Sequence, residues 1–471
     1  MTTTASATPP SNEHQTPTVF VIFGKTGNLA QKKLLPALLN LYSKKILPKQ
    51  FAIVGIGRRV FTREDFRQYV RDNMHIKVGQ YKEEDIKHFL DHMTYVQGFF
   101  DSKDLYTELA EKLDALDKGF RRCSNKLFHL SVSPDHYELI LSQLSDSGLT
   151  VPCGGNQGWT RILVEKPFGN NSETARSLDA LLGKLFDESQ IFRIDHYLAK
   201  EAMQNIIAFR FANSLFEPLW NKDYIDKVHI KLLEKIDTEG RGAFYDNVGA
   251  LKDVGQNHML QMLALVAMEN PDSFEADDVR GERAKVLGKL LPITKKTIAH
   301  HATRAQYEGY QHEKGVTPKS QTETYFRLET YIDNGRWKKV PFYLESGKAL
   351  SEARAEIDVY FKNPSSEERQ NVLTFKIQPD EGIKIRFWVK TPGFDLKVEP
   401  KTLKFKYADF QSLDLLPDAY ERVLYDAVVG DQTLFASTEE VMAAWDYITP
   451  IVEAWSEVPL KKYKKGSEYV D

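Results

Sequence analysis

The sequence is poor in cysteine: Cys123 and Cys153 are the only 2 among 471 residues. Two cysteines cannot build a disulfide framework, and neither stands in a Cys-x-x-Cys pair or a Cys/His cluster, so no metal site is expected. Long hydrophobic runs are missing as well. Nowhere do 18 apolar residues follow one another, which excludes a transmembrane helix. Neither charge dominates, with 63 Lys+Arg against 66 Asp+Glu, so the bulk charge offers nothing to nucleic acid. Residues 1–17 contain no Lys or Arg and no apolar run, unlike signal or transit peptides, and their Thr, Ser and Pro content predicts a disordered tail. These absences leave a soluble protein of the reducing cytoplasm that binds neither membrane nor nucleic acid.

What is present is organised in two halves. At ~150 residues per domain the length suggests about three domains, and two suffice for an α/β enzyme. From Thr18 to Ile194, short β-branched runs alternate with amphipathic stretches such as Leu105, Leu109, Leu113 and Leu116. Six strands are predicted: Val19–Phe23, Phe51–Ile56, Thr94–Val96, Leu127–Val132, Ile162–Val164 and Ile191–Ile194. Beyond them, Val228-x-Ile230-x-Leu232, Ile357-x-Val359-x-Phe361, Leu373-x-Phe375-x-Ile377 and Ile383-x-Ile385-x-Phe387-x-Val389 alternate, as strands with one wet face do. Helical runs are expected from about Gly249 to Met268, Tyr420 to Val428 and Glu439 to Trp455. The expected fold is an α/β Rossmann-like domain with a doubly wound parallel sheet (18–194), followed by a larger α+β domain with a mostly antiparallel sheet (195–471).

Directly after the first strand comes Gly24-Lys25-Thr26-Gly27-Asn28-Leu29-Ala30 and then a helical apolar set. Glycines let such a turn approach a pyrophosphate, whose charge the orphan N–H groups of the helix start can hold. Gly24, Thr26, Gly27, Asn28 and Leu29 are therefore expected cofactor contacts, with Lys25 adding positive charge near them. An ATPase-type phosphate loop fails on spacing, since Val19 occupies the position of its first glycine. Pro36 fits either a kink or a helix that starts late. The second strand ends in Gly57-Arg58-Arg59 with no carboxylate until Glu64, so Arg58 is expected to read the 2′-phosphate of NADP.

Further motifs follow in order: Val164-Glu165-Lys166-Pro167-Phe168-Gly169, Arg193-Ile194-Asp195-His196-Tyr197-Leu198-Ala199-Lys200, Arg210-Phe211-Ala212-Asn213, Thr238-Glu239-Gly240-Arg241-Gly242, Asp253 with Gln256-Asn257-His258, Gly347-Lys348-Ala349-Leu350, and Pro417-Asp418-Ala419-Tyr420-Glu421-Arg422. This ordered set closely resembles the glucose-6-phosphate dehydrogenase family, in its bacterial type, from about residue 18 to 455.

The resemblance implies oxidation of D-glucose 6-phosphate at C1 to 6-phospho-D-glucono-1,5-lactone with reduction of NADP, NAD being a further acceptor. That is the first oxidative step of the pentose phosphate pathway. It makes His258 the base and Asp195 its carboxylate partner, roles that suit an imidazole poised near neutral pH. It gives the sugar phosphate to His196, Tyr197 and Lys200, of which His196 and Lys200, four apart, would share one helix face. Lys166, at the end of a parallel strand, becomes a contact to substrate and cofactor, and Pro167 a candidate cis residue. Glu234, Asp253, Lys348 and Gln378 are implied to bind the sugar. A homodimer or homotetramer formed through the large sheet is also implied. The chain departs at Ala353, where animal members place an arginine near the phosphate, leaving a weak role to Arg354. Asp358 replaces a basic residue of their second NADP site, whose absence is expected. Two rivals are an oxidoreductase of an unphosphorylated sugar and a catalytically silent NADP-binding relative. The phosphate trio opposes the first; retention of His258, Asp195 and Lys200 opposes the second.

Overall fold

A computed structural model describes residues 16–77, 79–153, 158–363, 365, 367–409 and 416–470. The expected tail lies outside them except for its last two residues. The chain forms two compact units. One takes the chain to Gly169, Glu173–Ala199 and Pro417–Thr438; the other takes Asn170–Ser172, Lys200–Leu416 and Glu439 onward.

The first unit is built on strands β1 (Thr18–Phe23), β2 (Phe51–Gly57), β3 (Met93–Gln97), β4 (Asn125–Leu130), β5 (Thr160–Val164) and β6 (Ile191–Ile194). They are mutually parallel and ordered β6-β5-β4-β1-β2-β3, the doubly wound order whose switch point lies between β1 and β4. Every residue of β1, β2 and β4 is buried, as a sheet covered on both faces demands. Pro36 sits inside a helical run that passes from a π-helical turn, Ala30–Leu34, into the α-helix Leu35–Ser43, and the Gln31 carbonyl accepts instead from the His75 backbone N–H at 3.1 Å.

Two features of this unit depart from expectation. Pro417–Thr438, which the sequence pattern assigns to the second domain, belongs here. Its helix Ala419–Val429 sends Tyr420, Val423, Leu424 and Ala427 into the core beside Leu34 and Leu38, and Phe435–Ala436 pairs antiparallel with β6. The edge is sealed by Phe435 meeting Phe192 edge-to-face, ring centroids 4.8 Å apart. The two cysteines, moreover, are joined as a disulfide.

The second unit carries a nine-stranded sheet. Its strands include β7 (Ile225–Leu233), β8 (Ala302–Tyr307), β9 (Tyr325–Thr330), β10 (Phe342–Gly347), β11 (Arg354–Phe361), β12 (Val372–Gln378), β13 (Gly382–Lys390) and β14 (Val398–Lys406), with Leu460–Tyr463 at the edge beside β8. Pairing is antiparallel except between β7 and β10 and between β8 and the edge strand. The expected long helix divides into a π-helical segment, Leu251–Met259, and a fully buried α-helix, Leu260–Ala267.

Candidate active site

A glycine cradle opens the nucleotide end. Gly24 has φ of 77°, and a Cβ there would stand 2.3 Å from the Ser131 carbonyl oxygen, so only glycine lets the loop lie this close to β4. Above it lies a cavity of about 610 Å³. Thr26 and Gly27 line it from the loop, Arg58 and Arg59 from the end of β2, and Ser131 and His136 from beyond β4. It therefore sits at the switch point, where open α/β sheets bind their ligands. Glycine-rich backbone at one end and two guanidinium groups at the other fit a dinucleotide with an additional phosphate.

Of the residues expected at the cofactor, Gly24, Thr26, Gly27 and Arg58 line this cavity, whereas Asn28, Leu29 and Lys166 do not. Asn28 is exposed, and Leu29 packs its side chain against the core. Arg59, whose guanidinium lies 5.3 Å from the Tyr69 ring centroid, lines the cavity beside Arg58, and Ser131 and His136 join the lining without having been expected there. The signal for them is their position after a strand end, since every carboxyl end feeds the same crevice.

The expectation for Lys25 is overturned. Its side chain is 1% exposed and turns away from the cavity, with Nζ 4.0 Å from Met93 Sδ and 5.5 Å from the Phe66 ring centroid. The absence of a side chain at Gly55 makes the room, because a Cβ there would meet Lys25 Cγ at 2.7 Å. Burial pushes the Lys25 ammonium well below its usual range, and the side chain is not among those lining the cofactor cavity.

The motif Asp195–Lys200 is not the helix face the spacing suggests. Residues 196–199 form turns and the helix begins at Glu201, with Lys200 as its N-cap, so no i,i+4 relation joins His196 to Lys200. Asp195 and Tyr197 are buried, His196 is half-buried, and Asp195 Oδ1 accepts the Tyr197 backbone N–H at 2.9 Å. This bond closes an Asx-type turn at residues 195–197, and the backbone continues in turns through residue 199. Lys166 is half-buried beyond β5, and its bond to Pro167 is cis.

In the second unit the remaining residues come together in pairs. Lys200 donates to Gln378 Oε1, and Lys348 Nζ lies 2.5 Å from Glu234 Oε2. Asp253 and His258 share the π-helical segment Leu251–Met259. The i→i+5 bonding of that segment brings residues five apart to nearly the same side, whereas a 3.6-residue α turn would leave them about 140° apart. His258 is 1% exposed and Asp253 half-buried. Tyr245, which no motif singles out, joins this group: the Lys348 ammonium lies over its ring, 5.2 Å from the centroid.

Comparison with known proteins matches residues 21–205 to the model of the glucose-6-phosphate dehydrogenase NAD binding domain and 207–469 to that of the C-terminal domain. The chain belongs to the glucose-6-phosphate dehydrogenase family. Its sequence is 40% identical to the glucose-6-phosphate 1-dehydrogenase of Borreliella burgdorferi, covering 95% of this chain and 94% of that one. Against the enzyme of Aggregatibacter actinomycetemcomitans the identity is 42%, over 92% and 90% of the two chains. A solved glucose-6-phosphate dehydrogenase in complex with its substrate glucose-6-phosphate superposes with a TM-score of 0.90 at 32% identity, covering 97% of this chain and 96% of that one.

Two departures within the glucose-6-phosphate dehydrogenase pattern acquire a structural setting. Arg354 is engaged by carboxylates, 3.1 Å from Glu352 and 3.3 Å from Glu356, which leaves its charge spoken for. Asp358 pairs with Lys231 at 2.8 Å and accepts from Thr374 at 2.6 Å, so an acid closes that part of the large sheet.

Proposed function

We propose that the chain oxidises D-glucose 6-phosphate at C1 to 6-phospho-D-glucono-1,5-lactone, the first oxidative step of the pentose phosphate pathway. NADP is the hydride acceptor. In this reading His258 takes the proton of the C1 hydroxyl as the C1–H leaves as hydride, and Asp195 steadies the resulting imidazolium. Lys200, His196 and Tyr197 hold the phosphate, Lys200 as a compact point charge. Glu234 and Asp253 accept from sugar hydroxyls, with Lys348, Gln378 and Lys166 as further polar contacts. Gly24, Thr26, Gly27 and Arg58 hold NADP, and Asn28, Leu29 and Lys166 keep a cofactor role only through backbone or through parts of NADP outside the cavity.

The observation that supports this reading is the π-helical segment Leu251–Met259, whose i→i+5 bonding turns Asp253 and His258 toward nearly the same side. Initial rates of nicotinamide reduction with glucose and with glucose 6-phosphate, each with NADP and NAD, test it. Turnover is expected with the phosphorylated sugar and NADP. Equal rates for both sugars would replace it by an oxidoreductase of unphosphorylated sugars, and binding of NADP without turnover by a silent relative.

The assembly proposed is a homodimer or homotetramer. Support comes from β13 and β14, whose register sets Ile385 opposite Leu403 and thereby puts Phe387, Val389, Leu403 and Phe405 on one face. All four are more than a third exposed, an apolar stripe that a second copy could cover. Light scattering at micromolar concentration distinguishes a monomer from either assembly. The compartment proposed is the cytoplasm; among the described residues no helix is long and apolar enough to cross a membrane.

A further inference from the structure

Glu165, beside Lys166 in the Glu-Lys-Pro motif, has no part in the reaction as described so far, yet it is 8% exposed within the first unit. A buried carboxylate is costly unless it is paired and hydrogen-bonded. This one is held from three directions. On β4, His129 stands in register with Leu163 of β5, so the side chain two residues beyond Leu163 falls on the same face as the imidazole. His129 Nε2 lies 3.3 Å from Glu165 Oε1, off the hydrogen-bond axis, and the imidazole is 2% exposed. From the helix Ala419–Val429, the Tyr420 hydroxyl donates to the same carboxylate, 3.2 Å from Oε1 and 3.4 Å from Oε2. Tyr420 itself is fixed by Asp418, which accepts its backbone N–H at 2.9 Å. From the helix Tyr137–Asp146, the Tyr137 hydroxyl donates to the Glu165 backbone carbonyl at 3.0 Å. Burial first and the Glu165 charge second raise both tyrosines above their ordinary range, so both remain protonated donors.

The geometry points to Glu165 as a positioning residue that acts through Lys166. Its side chain is hydrogen-bonded by Tyr420 and stands against the His129 imidazole, and its main chain is held by Tyr137, so the residue immediately before Lys166 has little freedom to move. Lys166 inherits its placement from that neighbour through the peptide bond they share. A displacement of ~1 Å at a reacting group can cost ~10²-fold in rate, which makes such a clamp matter to turnover. The inference rests on the reading of Lys166 as a substrate and cofactor contact.

A double-mutant cycle tests it on the full-length protein, reading kcat/KM for glucose 6-phosphate with saturating NADP, with the melting temperature of each variant measured alongside. Lys166→Ala is expected to lower kcat/KM ~10²-fold or more and Glu165→Gln ~10-fold. In the Lys166→Ala background, Glu165→Gln should cost less than ~2-fold, although its effect on the melting temperature persists unchanged. His129→Phe and Tyr420→Phe, which leave the carboxylate in place, should follow the same pattern with smaller losses and stand in if Glu165→Gln does not fold. A loss from Glu165→Gln that is equally large without Lys166 overturns the inference and leaves the Lys166 reading intact. An undiminished rate in Lys166→Ala overturns the Lys166 reading, and the positioning role falls with it.

Discussion

Lys348 and Glu234 form an ion pair in which Nζ and Oε2 are 2.5 Å apart, joining two of the residues expected to meet the sugar. Lys348 is further secured by Tyr463, whose hydroxyl donates to its backbone carbonyl at 2.7 Å, and by the Tyr245 ring beneath the ammonium. The pair orients the carboxylate, so loss of either member should disturb the other. Lys348→Met is expected to raise KM for glucose 6-phosphate by ~10- to 100-fold, and adding Glu234→Gln to it should cost much less than Glu234→Gln alone. Steady-state kinetics of the four proteins decide; strictly additive losses would mean that the two groups act separately.

Removing the base should strike turnover rather than binding. His258→Asn preserves shape and hydrogen bonding but cannot carry the proton, and kcat is expected to fall by ~10²–10⁴-fold with KM changed by no more than ~3-fold. A kcat within tenfold of the parent would take His258 out of the chemistry.

At the other end of the cavity, Arg58 and Arg59 have no carboxylate partner among the described residues, so both guanidinium groups are available to an anion. Arg58→Ala should raise KM for NADP by ~10- to 100-fold while moving KM for NAD by less than ~3-fold, because only NADP carries the 2′-phosphate. Equal losses for both cofactors would return Arg58 to the ordinary surface.

Lys25 makes a prediction about stability and pH. Its folded-state pKa is depressed by burial below the unfolded value of ~10.4, so unfolding takes up a proton between the two. The protein therefore loses stability as pH falls through that window. Lys25→Met, which keeps the length and drops the charge, is expected to raise the melting temperature by a few degrees at pH 7 and by progressively less towards pH 10. KM for NADP should stay within ~2-fold, since the side chain does not line the cavity. A melting-temperature gain that is the same at pH 7 and pH 10 would contradict the linkage.

Much of the first unit is legible in the sequence because its information is local. Continuous apolar runs such as Thr18–Phe23 can be strands only where both sheet faces are covered, and Gly24 and Gly27 fall where a turn must meet a ligand. The alternation of Ile383, Ile385, Phe387 and Val389 likewise marks out β13 by its period of two alone. What stays hidden depends on partners distant in sequence. Nothing near Lys25 says that Gly55 will leave it a place inside, and nothing near Glu165 announces Tyr420. Spacing misleads at His196 and Lys200, since residues 196–199 form turns and the helix begins only at Glu201. For Asp253 and His258 the same rule would set the pair apart, and only the widened π turn brings them round.

The return of Pro417–Thr438 to the first unit has a consequence for biosynthesis. A nascent chain that has passed Ala199 still lacks the strand that covers β6 and the helix that closes over Leu34 and Leu38. Until those residues leave the ribosome, the nucleotide-binding half presents a bare sheet edge and an uncovered apolar face, both of which invite aggregation. Polypeptides released early should therefore be chaperone clients, and the protein's first unit is completed only after residues 200–416 of the second have been synthesised.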